Sequence, residues 1–196
     1  VRSMRLQVMR VSVPIVGAVC VAASPYGVVR VHLGDELARF ERELAEVFPD
    51  AELVGPGPGT RDAARALRAY LQGGPDPSHV PVVLPEGSFS ARVWRQIQKI
   101  PRGEVRAYAR VAKALKKPQA SRAVGQACGR NPVPLLIPCH RVVASDGGLG
   151  GFAGGLRWKQ ALLELEGVHL DREGDGAAPA RAGARRAPAR AVPAAG

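Results

Sequence analysis

The chain changes character at Ser88, and each side of that point admits only a narrow set of folds. Before it, the run VSVPIVGAVCVAASP is valine-rich and broken by Pro14, and Tyr26-Gly27 then leads into VVRVHL. β-Branched residues in short runs separated by turn residues predict two strands around the turn SPYG. Arg2, Arg5 and Arg10 precede that run, as in a secretory signal, yet Pro14 and the valines suit strands better. In DELARFERELAEVF, residues Leu37, Phe40, Leu44, Val47 and Phe48 recur at helical spacing and predict one buried helix face. After the break GPGPG, Thr60 is the expected N-cap of a second helix carrying Ala63, Ala64, Leu67 and Leu71, closed by Gly73-Gly74. VPVVLP, residues 80–85, reads as a short strand or extended linker. Residues 1–86 are therefore expected to form a small α/β domain, with no chemistry visible in it.

From Ser88 the pattern is helical. Ser88 is placed to cap a helix in which Phe89, Val93, Ile97 and Ile100 share a face, ended by Pro101 and Gly103. VRAYARVAKALKK, residues 105–117, sets Val105, Tyr108, Ala112 and Leu115 on one side. The turn KPQ follows, then ASRAVGQACGR, residues 120–130. Two short helices joined by a tight turn predict a helix-turn-helix. The alternative is an ordinary helical hairpin with a solvated basic face. Ala120, Ala123, Gly125 and Ala127 favour the former, because small residues let a helix backbone approach a groove.

Charge follows the same division. Residues 91–170 hold 14 Lys/Arg against 4 Asp/Glu, whereas residues 1–90 hold 9 against 10. The chain's formal charge of +11 thus resides mostly on one segment, the footprint of a polyanion binder, most simply a nucleic acid. A merely solubilising surface is the competing explanation. Residues 171–196, almost all Ala, Arg, Pro and Gly, lack the apolar residues for a core and are expected to be disordered. No run approaches the ~20 apolar residues of a membrane span.

The basic segment also contains LLIPCHRVV, residues 135–143, followed by DGGLGGFAGG. Cys20, Cys128 and Cys139 are far apart, with no CxxC pair, which argues against a disulfide framework and for a reducing compartment. Zinc is not expected: His32, His79, His140 and His169 are not at chelating spacing from cysteines, and adjacent Cys139 and His140 cannot readily turn to one tetrahedral ion. A thiol attacks as thiolate, so a neighbouring base makes it competent at neutral pH. In GLRWKQALLELEG, residues 155–167, Lys159, Leu162, Leu163 and Glu166 stack on one helix side. A carboxylate among leucines needs a partner, and His140 is the candidate. Cys139, His140 and Glu166 then form a relay, although the same residue types serve cysteine hydrolases, and a structural thiol beside a surface histidine is also consistent. A basic helix-turn-helix supplies a target. Chemistry on a base in duplex DNA requires its extrusion into a pocket, which GGLGGFAGG, with Phe152 for stacking, can line.

Together IPCHRVV, RAVGQACGRNPVP, GEVRAYARVA and FAGGLRWKQALLELEG resemble the O6-alkylguanine-DNA alkyltransferases, also called methylated-DNA–protein-cysteine methyltransferases, without gaps over about residues 88–168. SPYGVVRVHL resembles the family's opening hairpin more weakly. The resemblance implies an α/β protein, with a small amino-terminal α/β domain of ribonuclease H-like strands plus helices. A mainly helical carboxy-terminal domain with the helix-turn-helix, residues 87–170, follows it. It implies that Cys139 accepts an alkyl group irreversibly from O6 of a flipped guanine, and from O4-alkylthymine, with one turnover per molecule. On the matching positions, His140 and Glu166, through a bridging water, activate the thiol, and Asn131 braces the site. Tyr108 donates to the base and presses on the target phosphate, and Arg122 fills the vacated stack from the minor groove. The carbonyls of Cys139 and Val142 read the exocyclic amine, while the Ala153 N–H and Lys159 attend the O6 side, with Gly154 and Phe152 in the same pocket. Ala109, Lys117 and Ser145 match positions near the phosphate backbone.

Two departures stand out: Phe152 replaces a frequent tyrosine, and Ala153 a serine. Members that only sense damage lack the acceptor thiol, and this chain has it. Some members carry zinc in the amino-terminal domain, but that ligand set is not matched, so no metal or cofactor is expected. The implied partner is duplex DNA containing O6-alkylguanine, with no membrane, a monomeric protein and a cytoplasmic location. A damage-binding module with an inert thiol, and a cysteine hydrolase or transferase for small acyl substrates, are the other readings. The second of these leaves the charge asymmetry unexplained.

Overall fold

The computed structural model describes residues 4–170. The tail expected to be disordered lies outside the described residues. Strand β1 (Met4–Val13) pairs antiparallel with β2 (Gly17–Ser24), which pairs antiparallel with β3 (Gly27–Leu33). The valine-rich run is therefore not a single strand before SPYG. It is the end of β1, a turn at Pro14–Val16 and then β2, with Ile15 at φ 69° and Gly17 at φ 79° reversing the chain. Helix α1 (Leu37–Val47) leads to β4 (Ala51–Val54), which pairs parallel with β1, giving the sheet order β3-β2-β1-β4. Sequence reading missed β4, because four residues carry almost no periodicity and a parallel partner lies far away in the chain.

The sheet is covered on both faces, which explains the near-continuous apolar reading of β2. Leu6, Val8, Cys20, Ala22 and Val29 point to α1, against Phe40 and Leu44. Val11, Val13, Val19, Val21 and Val31 point the other way, to the side of helix α2 (Pro58–Leu71). Strand alternation sorts the two sets in β1 and β2. In β3 a bulge, where the pairing passes from Ala22 with Arg30 to Ala23 with Val28, lets Val29 and Val31 face opposite ways. Val47 was expected on the buried face of α1 but is half exposed, since that face ends one turn earlier. α2 begins at Pro58 with Gly57 as its N-cap, not at Thr60. The Thr60 hydroxyl instead sits inside the first turn, accepting from the Gly57 N–H and donating to its carbonyl, both at 3.0 Å.

The core on the α2 side is continuous with that of the remaining chain. Tyr70, Leu67 and Leu71 join Ala91, Val93, Ile97, Val124, Val133 and Leu162 in one cluster. Helix α3 (Phe89–Ile97) starts as expected, with the Ser88 hydroxyl accepting from the Ala91 N–H at 3.0 Å. The segment expected as a helix over 105–117 is shorter: strand β5 (Arg106–Ala107) comes first, and α4 (Tyr108–Ala114) begins at the tyrosine. β5 pairs parallel with β6 (Val142–Val143), tying the helix start to the segment after Cys139. α5 (Ser121–Gly129) packs on α3 and α4, forming the helix-turn-helix, and Trp94 fixes it with an indole N–H donated to Ala127 O at 2.8 Å. Helix α6 (Leu156–Leu165) closes the described chain. No described helix is long and apolar enough to cross a membrane.

Candidate active site

Pro132–Pro138 does not run straight into Cys139. Leu135 takes φ 74° and a bridge joins Pro134 to Ile137, so the chain doubles on itself. Cys139–Arg141 then form one turn of 3-10 helix. The loop is held by Asn131, whose Oδ1 accepts from the Val133 N–H at 3.0 Å while Nδ2 donates to Ile137 O at 2.8 Å. The same Nδ2 donates to the Cys139 sulfur at 3.2 Å. Asn131 therefore braces the thiol and its loop at once.

Behind the thiol lies a buried polar cluster. Glu166, one residue past α6, places its carboxylate among four donor groups. His140 Nε2 lies 3.1 Å from Oε1, and the Tyr70 hydroxyl donates to Oε1 at 2.5 Å. Arg141 donates from Nη2 at 2.7 Å to Oε1 and from Nε at 3.0 Å to Oε2, and the Gly103 N–H reaches Oε2 at 3.3 Å. Arg141 also donates to Ile100 O at 2.7 Å and pairs with Asp76. His140 is fully buried and Cys139 is 2 % exposed.

The electrostatics follow. Burial alone would raise the Glu166 carboxyl, but the hydrogen bonds of His140 and Arg141 together outweigh it and hold it at about 2. Burial lowers His140, against the opposing pull of Glu166. Burial raises the Cys139 thiol, with relief from the Asn131 hydrogen bond and the Lys159 charge. At neutral pH the resting site thus holds a neutral thiol, a neutral imidazole and an ionised carboxylate. Such a sulfur is not kept as a thiolate, and attack by it would require its proton to move.

The tautomer of His140 follows from its neighbours. The Tyr70 hydroxyl proton is committed to Glu166, so the Tyr70 oxygen, 3.1 Å from Nε2, faces it as an acceptor, as does the carboxylate. Nε2 between two acceptors must carry the proton. Nδ1 is then the basic nitrogen, and it is the one buried side-chain polar atom among the described residues with no hydrogen-bond partner. This is what a proton acceptor for the thiol needs.

On the other side of Cys139, Tyr108 stands at the first position of α4, its hydroxyl donating to Gly151 O at 3.3 Å and burial pushing it up to about 12. Lys159 is fully buried and brought down by burial to about 8. It donates to Val142 O at 2.5 Å and to Gly151 O at 3.2 Å, with its ammonium 5.8 Å from the Tyr108 ring centre. The Val142 carbonyl, expected to read a base, is here the partner of Lys159. The glycine-rich loop folds over this group: Gly150 has φ 64°, and a Cβ there would lie 2.7 Å from the Tyr108 ring, so only glycine fits. Phe152 packs against the core, while Ala153 is exposed and Gly154 sits against Trp158 and Leu33.

The expected DNA-facing residues are on the surface. Arg122, in the first turn of α5, is exposed, as are Ala109, Lys117 and Ser145. Arg110, Lys113, Lys116 and Arg130 are exposed on the same helix pair, and among the described residues none of these cations is in an ion pair. Three site residues were missed. Tyr70 lies on the apolar face of α2, and a core tyrosine calls for a polar partner. Arg141 is a charge inside an apolar run, with the same implication. Asp76, in a loop, gave no signal.

A family model for the 6-O-methylguanine DNA methyltransferase, DNA binding domain, matches residues 88–168. The methylated-DNA–protein-cysteine methyltransferase of Methanosarcina barkeri is 48 % identical over 111 residues, 56 % of this chain and 70 % of the relative. The bifunctional transcriptional activator/DNA repair enzyme Ada of Escherichia coli is 35 % identical over 156 residues, 80 % of this chain and 44 % of that protein. Among solved structures, the Mycobacterium tuberculosis OGT in complex with DNA superposes with a TM-score of 0.68 at 30 % identity, covering 83 % of this chain and 92 % of that one. The O6-methylguanine-DNA methyltransferase of Pyrococcus kodakaraensis gives 0.61 at 29 %, covering 83 % and 99 %. With the thiol, its brace and the helix-turn-helix in these positions, the chain belongs to the methylated-DNA–protein-cysteine methyltransferase family.

Proposed function

We propose that this protein repairs DNA by extruding O6-alkylguanine, and O4-alkylthymine, from the duplex and moving the alkyl group to Cys139, once per molecule. The observation that carries the reading is the bare Nδ1 of His140, buried next in sequence to a thiol that Asn131 grips at 3.2 Å. In the step itself the Cys139 sulfur attacks the alkyl carbon, an S–C bond forms and the C–O6 bond breaks. The thiol proton passes to Nδ1, directly or through one water. The C–O electron pair leaves with the guanine, which takes a proton from the Tyr108 hydroxyl. Solvent carries the imidazolium proton back to that oxygen, so the thiol proton ends in effect on the base. The carboxylate of Glu166 stabilises the imidazolium that forms. The thioether stays on Cys139, so each molecule acts once.

Tyr108 and Lys159 are the polar groups available to the leaving base. Both now serve the Gly151 carbonyl, so a base entering the pocket exchanges those hydrogen bonds for its own. Arg122 fills the gap left in the stack, and Ala109, Lys117 and Ser145 lie near the backbone phosphates. The protein acts as a monomer on duplex DNA.

Incubation with a duplex carrying one O6-methylguanine tests this. Peptide mass spectrometry is expected to find one added methyl on the Cys139 peptide and none in Cys139→Ala. An unmodified peptide alongside tight binding identifies a damage-binding module instead.

A further inference from the structure

The relay is not confined to the part of the chain that carries the thiol. Tyr70 comes from the last turn of α2 and Asp76 from the loop after it, both before Ser88. The Tyr70 side chain is fully buried, and its hydroxyl lies between Glu166 Oε1 at 2.5 Å and His140 Nε2 at 3.1 Å, with Arg141 beside it. A tyrosine needed only for packing has no reason to place its oxygen between the base and the acid of a relay. Asp76 holds the outer edge of Arg141, whose inner edge holds Glu166.

We propose that Tyr70 and Asp76 are positioning residues of the relay: Tyr70 by giving its proton to Glu166, Asp76 by balancing Arg141, together setting how readily His140 takes the thiol proton. The two act in opposite senses. Tyr70 withdraws negative charge from the carboxylate that faces Nε2, and this outweighs the neutral hydroxyl oxygen's acceptance from the same N–H, so it restrains the basicity of His140. Asp76 offsets the positive charge of Arg141, which otherwise opposes an imidazolium, so it sustains that basicity.

The charged and titratable groups around His140 are few. Glu166 and Arg141 touch the cluster directly, Lys159 faces it from α6, and Cys139 precedes it in the chain. Arg102 lies over the Tyr70 ring, 5.4 Å from its centre, and is anchored to the carbonyls of Gly74 and Leu165. Each substitution below changes one contact of Glu166 or Arg141 and removes none of these groups. Tyr70→Phe keeps the ring, its packing and the Arg102 contact. In Asp76→Asn the amide oxygen still accepts from the Ser78 N–H, a bond now 2.9 Å long.

This inference rests on the repair reading, but its test does not require repair to occur. The chain has four histidines, so ring-nitrogen NMR on the full protein can follow His140 alone, assigned by its loss in His140→Gln. The wild type is expected to show a protonated Nε2 and a bare Nδ1. The titration midpoint of His140 is expected to rise by about one pH unit in Tyr70→Phe and to fall in Asp76→Asn. Opposite shifts with little change in melting temperature support the proposal. Midpoints that stay put, or move the same way in both variants, overturn it, and loss of stability without a shift assigns both residues to packing alone. If His140 behaves as stated while Cys139 accepts no methyl from DNA, the repair reading fails and this proposal stands.

Discussion

The cluster behind Cys139 and the helix pair of α4 and α5 are opposite solutions for charged residues. In the cluster every charge has a partner, and Glu166 accepts from Tyr70, His140, Arg141 and Gly103. On the helix pair the cations face solvent without carboxylates. Charges taken out of water must be matched group for group, whereas cations kept in water remain available to phosphates. In the proposed function the first region moves one proton and the second finds a polyanion. Substitutions in the two regions therefore should fail in different ways.

The largest effect is expected from Glu166→Ala. It leaves the Arg141 guanidinium and the Tyr70 hydroxyl buried without their acceptor, and loses about 3–5 kcal/mol of stability, read from urea midpoints. A loss below about 1 kcal/mol, the range of an exposed pair, would erase the contrast between the regions. Acid sharpens the same point. Glu166 is held at about 2 against an ordinary 4.5, a depressed carboxyl. Its contribution is present above the unfolded value and lost as pH falls from about 4.5 towards 2. Thermal melts across that window should show a fall in Tm that is much smaller in Glu166→Gln.

Arg122→Ala probes the other region. Its stability should stay within about 0.5 kcal/mol of the parent. Repair in duplex DNA should slow by more than about tenfold, or ~1.4 kcal/mol, while transfer from free O6-benzylguanine is little changed. Equal losses on both substrates would remove the role in the base stack. The smallest effect belongs to Lys117→Ala, which should lower the slope of log K against log salt by about one. An unchanged slope would take Lys117 off the phosphates.

The sequence was legible where chemistry is local. A cysteine and histidine side by side in an apolar run, a serine one residue before a helical pattern, and a glutamate stacked with leucines each point to their role at short range. Ser88 does cap α3, and Glu166 does meet His140. What could not be read is set by pairing across the chain. β4 exists because β1 offers it an edge. Tyr70 reaches a histidine 70 positions away, a contact no periodicity encodes. The state of the thiol was equally hidden. Adjacency to His140 suggests ionisation, but burial raises the thiol and lowers the imidazole, which favours the neutral form of both. The bend at Leu135 that presents Cys139 is likewise a product of the surrounding core, since leucine has no intrinsic preference for φ 74°.

The central claim is that the alkyl group goes to Cys139 and remains there. Counting labelled groups transferred from O6-alkylguanine in duplex DNA, with substrate in large excess over protein, tests it most directly. The count should plateau at one per chain, all on the Cys139 peptide. A count that climbs past one with time, or a plateau reached equally well by Cys139→Ala, would contradict it.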